Sequence, residues 1–243
     1  MLNAVCYDLL WFGGGLVTGV ASFGANLFAV PFVALLLPPR EAILLGCISG
    51  TAVFAAMSVI YVRRVHWGGA ALLTAGALAG IPLGVWALAH AGPRALLLGA
   101  AFCLGAFLFW QWLPRGAGRP PVGNWLALPL GVASGVMMSA MGMGGPALAA
   151  YVYLRKLEKE AALGTVNVVS VAIMAVALPW QYWQGLYDGM EIGLGLWGAL
   201  FACGGIAASV PLVRRMDVRL FRKALLGVLA LAAVMLLARG LLQ

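Results

Sequence analysis

The sequence predicts an all-α polytopic membrane protein made of two repeats of about four apolar segments each. The first segment of each repeat is broken or re-entrant, and the repeats are inverted relative to one another. Three observations carry this reading. Hydrophobic residues make up 64% of the 243 positions and charged residues 9%, with a mean hydropathy of +1.02; a soluble domain is about a quarter charged. Two apolar runs exceed the length of a single crossing and are interrupted by Gly and Pro, the residues least suited to a helix interior. The two interruptions lie 120 positions apart.

Apolar runs cover 4–37, 41–62, 68–90, 93–113, 124–154, 161–184, 190–213 and 219–240. The opening MLNAVCYDLLWF has neither a basic n-region nor a small-residue cleavage site, so a removable signal peptide is not expected. As one helix, 4–37 would measure about 50 Å at ~1.5 Å per residue, against a hydrocarbon core of ~30 Å. Its centre, Gly15 to Pro31, reads GLVTGVASFGANLFAVP. The run 124–154 is nearly as long, and its centre, Gly135 to Tyr151, reads GVMMSAMGMGGPALAAY. Lipid offers backbone groups no hydrogen-bond partners, so such breaks survive only where protein or a water-filled cavity covers them. Amides freed beside a half-helix N-terminus can hold an anion. The two breaks are therefore read as facing halves of one transport site. The other six runs match the ~20 residues a spanning helix needs.

An internal repeat follows from the offsets. Gly15, Ser22 and Gly24 meet Gly135, Gly142 and Gly144 at 120, and Glu41-Ala42 meets Glu160-Ala161 at 119. Gly80-Ile81 meets Gly205-Ile206, and Arg94 meets Arg219, both at 125. Small drifts of this kind are loop-length changes in an old duplication. The halves are 1–114 and 125–243, joined by the Gly/Pro/Arg-rich linker 115–124 (RGAGRPPVGN).

Charge discriminates between two topologies. If all eight runs cross once, the 15 basic residues divide ten to five between the two sides. If 4–37 and 124–154 are re-entrant hairpins, Arg63, Arg64, Arg115 and Arg119 join the clusters at 155–159 and 214–223. Only Arg40, Arg94 and Arg239 then oppose them, a twelve-to-three division. The second arrangement obeys the positive-inside rule better. It leaves three crossings per half, so the halves are inverted, a plan recurrent among transporters. Both schemes put the termini outside the cytoplasm. Placement of the basic residues between apolar runs also argues against nucleic-acid binding despite the net charge of +8. Cys6, Cys47, Cys103 and Cys203 are dispersed in apolar runs and form neither a metal nor a redox pattern.

These residues resemble the sulfite exporter TauE/SafE family, whose motif G-x-x-x-G-x-x-G-[FI]-G-G, with Pro close behind, occurs twice. The first copy here is Gly15, Gly19, Ser22, Phe23, Gly24, Ala25, Asn26, with Pro31 beyond. The second is Gly135, Ser139, Gly142, Met143, Gly144, Gly145, Pro146. The family's Arg–Asn-Val-Asp-Trp region is similar to Arg63-Arg64-Val65-His66-Trp67, with His66 replacing Asp, while the second copy is reduced to Leu186-Tyr187-Asp188. The resemblance covers nearly the whole chain and implies a membrane transporter for sulfite, organosulfonates or related sulfur-containing anions.

Candidate substrate-binding residues are Ser22, Gly24, Ala25, Asn26, Ser139, Gly142, Gly144, Gly145, Pro146 and Asn167. The glycines alone would suit close helix packing; Pro146 and the copy at Gly24–Asn26 tip the reading toward a site. Asn26 either donates to sulfonate oxygens or satisfies carbonyls exposed by the break, and for Ser22 and Ser139 the second role is preferred. Asn167 is the best candidate in GTVNVVSVAIM because an amide in lipid is costly without a partner; Thr165, Ser170, Ser49 and Thr51 are read as interhelical contacts. His66 is read as an interfacial anchor, Glu41 and Glu160 as helix-start carboxylates, and Trp180, Tyr182 and Trp183 as an aromatic belt. No span centre carries Asp, Glu, Lys or Arg, so an anion would be held by dipoles and amides, with easy release.

The expected function is secondary transport, outward by resemblance, in the inner membrane of a bacterium. The implied partners are a small sulfur-containing anion and the lipid bilayer. A passive anion channel and a transporter for another small anion or metabolite stay open as alternatives, and so does a homodimer. No cofactor, metal or enzymatic activity is expected: there is no GxxxxGK[ST] motif, Ser/His/Asp set or paired intramembrane carboxylates.

Overall fold

A computed structural model describes residues 2–21, 24–112, 123–213 and 218–242. Among them the regular structure is entirely helical: α1 (Leu2–Ala21), α2 (Ala25–Leu36), α3 (Pro39–Tyr61), α4 (Trp67–His90), α5 (Pro93–Trp112), α6 (Ala127–Met141), α7 (Gly145–Leu154), α8 (Lys159–Trp183), α9 (Gly189–Val213) and α10 (Val218–Leu242). Each over-long run is two helices, α1–α2 and α6–α7, and each ordinary run is one. By length and composition six described helices suffice to cross a membrane, at Pro39–Arg64, Trp67–His90, Asn124–Met141, Lys159–Trp183, Glu191–Ser209 and Leu225–Leu242. The linker expected at 115–124 lies outside the described residues except for Gly123 and Asn124.

Local chemistry explains the boundaries. Pro39 opens α3 at its first turn, where its missing N–H costs nothing. His66 caps α4 by accepting the Gly69 N–H on Nδ1 (3.1 Å). Asp188 caps α9 in the same register, taking the Glu191 N–H on Oδ1 (2.8 Å) while Glu191 Oε2 takes the Asp188 N–H (2.9 Å). This is a reciprocal capping box. The apparently reduced Leu186-Tyr187-Asp188 therefore keeps the acceptor that starts its helix, and His66 supplies a ring nitrogen for the same task.

Glycines set the closest helix contacts. A Cβ on Gly15 would overlap the carbonyl of Ala202, and one on Gly205 would overlap the carbonyl of Phe12, so α1 lies with its backbone against α9. A Cβ on Gly135 would overlap the Ala77 carbonyl, and one on Gly80 the Val132 carbonyl, so α6 lies in the same way against α4. Both pairs are parallel: Tyr7 reaches Leu194 O and Gly19 meets Ser209, while Gly76 meets Leu128 and Gly84 meets Ser139. In lipid the solvent gives helices no hydrophobic reason to associate, so close packing through small residues replaces it.

The second member of each broken pair folds back. Gly13 faces Phe28, Gly14 faces Ala25, and Val17 faces Gly24. Tyr151 Oη, on α7, comes within 3.5 Å of Asn124 Oδ1 at the beginning of the α6 run. Helices α3 and α8 run antiparallel, with Cys47 beside Gln181 at one end and Tyr61 against Gly164 at the other; α5 packs on α10. The connections at 62–66 and 155–158 consequently share one end of the bundle, where Arg64 Nε lies 3.3 Å from Glu160 Oε2 and the His66 N–H donates to Thr165 Oγ1 (3.0 Å). The opposite end collects 37–38, 91–92 and 184–188. There Arg40 donates to Ala89 O (2.8 Å), Arg239 to Ala34 O, and Tyr187 Oη lies 3.5 Å from Leu44 O.

Candidate functional site

The two breaks meet. Gly24 holds φ 112° before α2 and Gly142 holds φ 69° after α6, left-handed conformations that glycine adopts without a Cβ penalty. Gly145, the first residue of α7, faces Leu27 of α2, and Asn26 donates through Nδ2 to Gly142 O at 2.8 Å. The same nitrogen donates to Gly46 O of α3 at 3.0 Å. Gly50 leaves room for the Asn26 amide, since a Cβ there would overlap it. One side chain thus ties the first break to the second and both to the middle of α3.

A broken helix exposes a negative carbonyl end and a positive amide end. Here several carbonyls at the end of α6 are paired. Gly142 N–H turns back to Met138 O (2.9 Å), Gln181 Nε2 donates to Ser139 O (2.9 Å), and Asn26 serves Gly142 O. Gln181 is held in turn by Tyr187 Oη, which donates to its Oε1 at 2.7 Å, and it lies 3.8 Å from Cys47 Sγ. Burial, foremost, pushes the Tyr187 hydroxyl well above its ordinary range, so it stays a neutral donor. The amide ends begin at glycines, Gly24 before α2 and Gly144 before α7, which have no side chain to offer. Neither α2 nor α7 has a side-chain cap, Pro146 stands in the first turn of α7, and the Gly144 N–H has only the Met138 thioether, 3.1 Å away.

A family model described as Sulfite exporter TauE/SafE matches residues 8–236, which takes in both breaks and everything between them. The chain belongs to the sulfite exporter TauE/SafE family. Membership implies a membrane transporter of sulfur-containing anions, and the family is one of transporters, not enzymes. Nothing matches among the curated proteins or the solved structures.

Most of the residues singled out in the sequence of this TauE/SafE protein gather at the breaks: Gly24, Ala25, Asn26, Gly142, Gly144, Gly145 and Pro146 all lie within or beside them. Ser22 falls outside the described residues. Ser139 is buried and spends its hydroxyl on Gly135 O (2.6 Å), with Ile81 O at 3.3 Å, so it joins α6 to α4. Asn167 returns an amide N–H to Leu163 O of its own helix (2.9 Å). Ser49 donates to Gly195 O (2.8 Å) and joins α3 to α9.

Gln181, Tyr187 and Cys47 complete the TauE/SafE break without having been singled out. Gln181 hides within PWQYWQ, whose aromatic residues read as an interfacial belt. Tyr182 and Trp183 are 63% and 91% exposed, whereas Gln181 is 0% exposed. A polar residue facing inward between outward-facing aromatics was the available signal, because a buried amide needs partners. Among the described residues no group of three or more His, Cys, Asp or Glu is placed to hold a metal ion.

Proposed function

We propose that this protein is a secondary transporter that exports sulfite, an organosulfonate or a related sulfur-containing anion across the inner membrane. Access alternates around the two breaks. The observation that carries the reading is the electrical asymmetry of the second break. Its Gly142 and Ser139 carbonyls are paired with Asn26 and Gln181, while α2 and α7 start from glycines that supply no side-chain cap. What meets at the breaks is then two positive helix ends, which favour an anion without a buried Arg or Lys.

The topology in this reading has α1–α2 and α6–α7 as re-entrant hairpins in inverted halves. Two facts support it. Arg63, Arg64, Arg155, Lys156 and Lys159 sit at one end of the bundle and Arg40, Arg94 and Arg239 at the other, as the positive-inside rule asks of a cytoplasmic and an external face. The glycine contacts are also images of one another: adding 120 to Gly15 gives Gly135, and adding 125 to Ala77 gives Ala202, the partners the two glycines touch. Gly80–Val132 and Gly205–Phe12 obey the same two shifts. Cysteines introduced singly at Arg63 and Lys156, both exposed, should be labelled by an impermeant maleimide from the same face; labelling from opposite faces would remove the hairpin at 124–154.

The bodies that move are then composite. Helix α1 is bound through backbone contacts to α9 of the other half, and α6 to α4, so rocking one sequence half against the other would part the closest contacts in the molecule. The units that fit are α1 with α9 and α4 with α6. Proteoliposomes preloaded with sulfite should show saturable counterflow of labelled sulfite, the property of a carrier. Single-channel currents carried by the anion would sink the carrier in favour of a pore.

A further inference from the structure

Both histidines of the chain belong to α4, at opposite ends of it. They use the same ring atom in opposite ways. His66, at the N-cap, accepts the Gly69 N–H on Nδ1 at 3.1 Å. A nitrogen that accepts carries no proton, so this bond exists only while Nδ1 is unprotonated. His90, in the last turn, has Nδ1 2.9 Å from Trp86 O, and a carbonyl requires Nδ1 to donate. That bond survives protonation, and a positive ring suits a helix C-terminus. At the N-terminus a positive ring loses the cap and also meets the positive end of the helix. Helix α9 is capped instead by Asp188. Carboxylates remain acceptors throughout the range in which imidazole takes up its proton. Of these two caps, the one on α4 alone is made by a group that ordinarily changes charge near neutral pH.

His66 is also a joint between helices. A Cβ on Gly69 would stand 2.2 Å from Tyr151 Oη of α7 and 2.6 Å from His66 Nδ1, so the buried Tyr151 fills the room beside the capped turn. The same Oη comes within 3.5 Å of Asn124 Oδ1 in the α6 run, and the His66 N–H donates to Thr165 Oγ1 of α8. One end of the α4–α6 unit is therefore fixed to α7 and α8 at a single place. The charged and titratable groups about it are Arg63 and Arg64 on the same connection, Glu160 of α8, Tyr151 of α7, and Arg155 beside Tyr151. Glu160, the carboxylate among them, is already paired with Arg64 at 3.3 Å, so a positive ring at His66 gains no counter-ion for the cap it gives up. The ring is partly exposed, within reach of protons from solution. We propose, resting on the transport reading above, that His66 is a proton-operated latch: acid at this end of the bundle opens the first turn of α4, unseats Tyr151 of α7 and slows transport.

The test measures amide hydrogen exchange of the whole protein in nanodiscs and sulfite counterflow in proteoliposomes, at about pH 8 and about pH 5.5, on either side of the imidazole range. The reference is His66→Asn, whose side-chain oxygen caps without titrating. In the wild type, acid should raise exchange of the Gly68–Ala70 amides about five-fold beyond the intrinsic change, the factor a lost N-cap corresponds to. Wild-type counterflow should match that of His66→Asn at the higher pH and fall to about one fifth of it at the lower. Comparison at one pH cancels the protonation of sulfite itself. His66→Asp, a second cap that keeps its acceptor in this range, should behave as His66→Asn, and His90→Gln should keep the wild-type response. Exchange that acid leaves unchanged in the wild type, that rises equally in His66→Asn and His66→Asp, or that no longer rises in His90→Gln overturns the proposal. So does a wild-type exchange response accompanied by a constant counterflow ratio. Absence of counterflow in every protein at both pH values overturns the transport reading, and the latch with it, whatever the exchange shows.

Discussion

Gly15→Ala and Gly135→Ala should each lower stability by about 3 kcal/mol or more, the upper end of what overpacking costs. The obstacle at each position is a carbonyl, of Ala202 and of Ala77, and not the end of a flexible side chain. Neither neighbour can rotate away, so relief requires α1 to part from α9, or α6 from α4. The lost contacts are then shared along the whole helix pair. Gly227→Ala is the control. That glycine is also in a helix, but a Cβ there meets nothing within 4 Å, so the change should fall within about 0.5 kcal/mol of neutral or stabilise slightly through helix propensity. Thermal unfolding in detergent and the monodisperse fraction on size exclusion read both. If the three variants behave alike, the close backbone packing is not what holds these pairs.

Asn26→Leu is expected to abolish transport and to cost roughly 2–4 kcal/mol, since leucine fills the space but leaves the Gly142 carbonyl, and part of the demand of the Gly46 carbonyl, unpaired in a buried place. Its effect should exceed that of Asn167→Leu, because the Asn167 amide N–H serves a carbonyl within its own helix. Transport at unchanged apparent affinity in Asn26→Leu would show that joining the two breaks is dispensable. The two asparagines look alike in the sequence, as single amides in apolar stretches, and only the structure separates a link between breaks from a bond within one turn.

That contrast marks how far the sequence could be read. Over-long apolar runs with Gly and Pro at their centres announce helices that stop and restart, because an unbroken helix of that length would overshoot the bilayer. Both restarts occur at those centres, at Ala25 and Gly145. The charge count answers a different question, on which side of the bilayer each connection lies. Glycine roles are harder to read. Gly15 and Gly135 permit backbone contact, whereas Gly24 and Gly142 permit a left-handed turn, and one motif contains both kinds without marking which is which. Partner identity is out of reach for the same reason: spacing says that a face is narrow, not which helix will lie on it. Gln181 escaped notice because its neighbours supply a sufficient account of the segment. Inward and outward positions alternate there within a single turn, and the aromatic majority draws the reading outward.

The pairing of α1 with α9 has a consequence for biosynthesis. When α6 emerges from the ribosome, α4 is already in the bilayer to receive it. The face of α1 around Gly15 must wait for α9, roughly 170 residues later, which is on the order of 10 to 35 s at ordinary translation rates. For that interval α1 and α2 stand with the glycine surface and the break uncovered. The two broken helix pairs, similar in the finished molecule, therefore differ in their exposure to quality control while it is being made, and the earlier one is where a slowed ribosome or a truncated chain would be noticed.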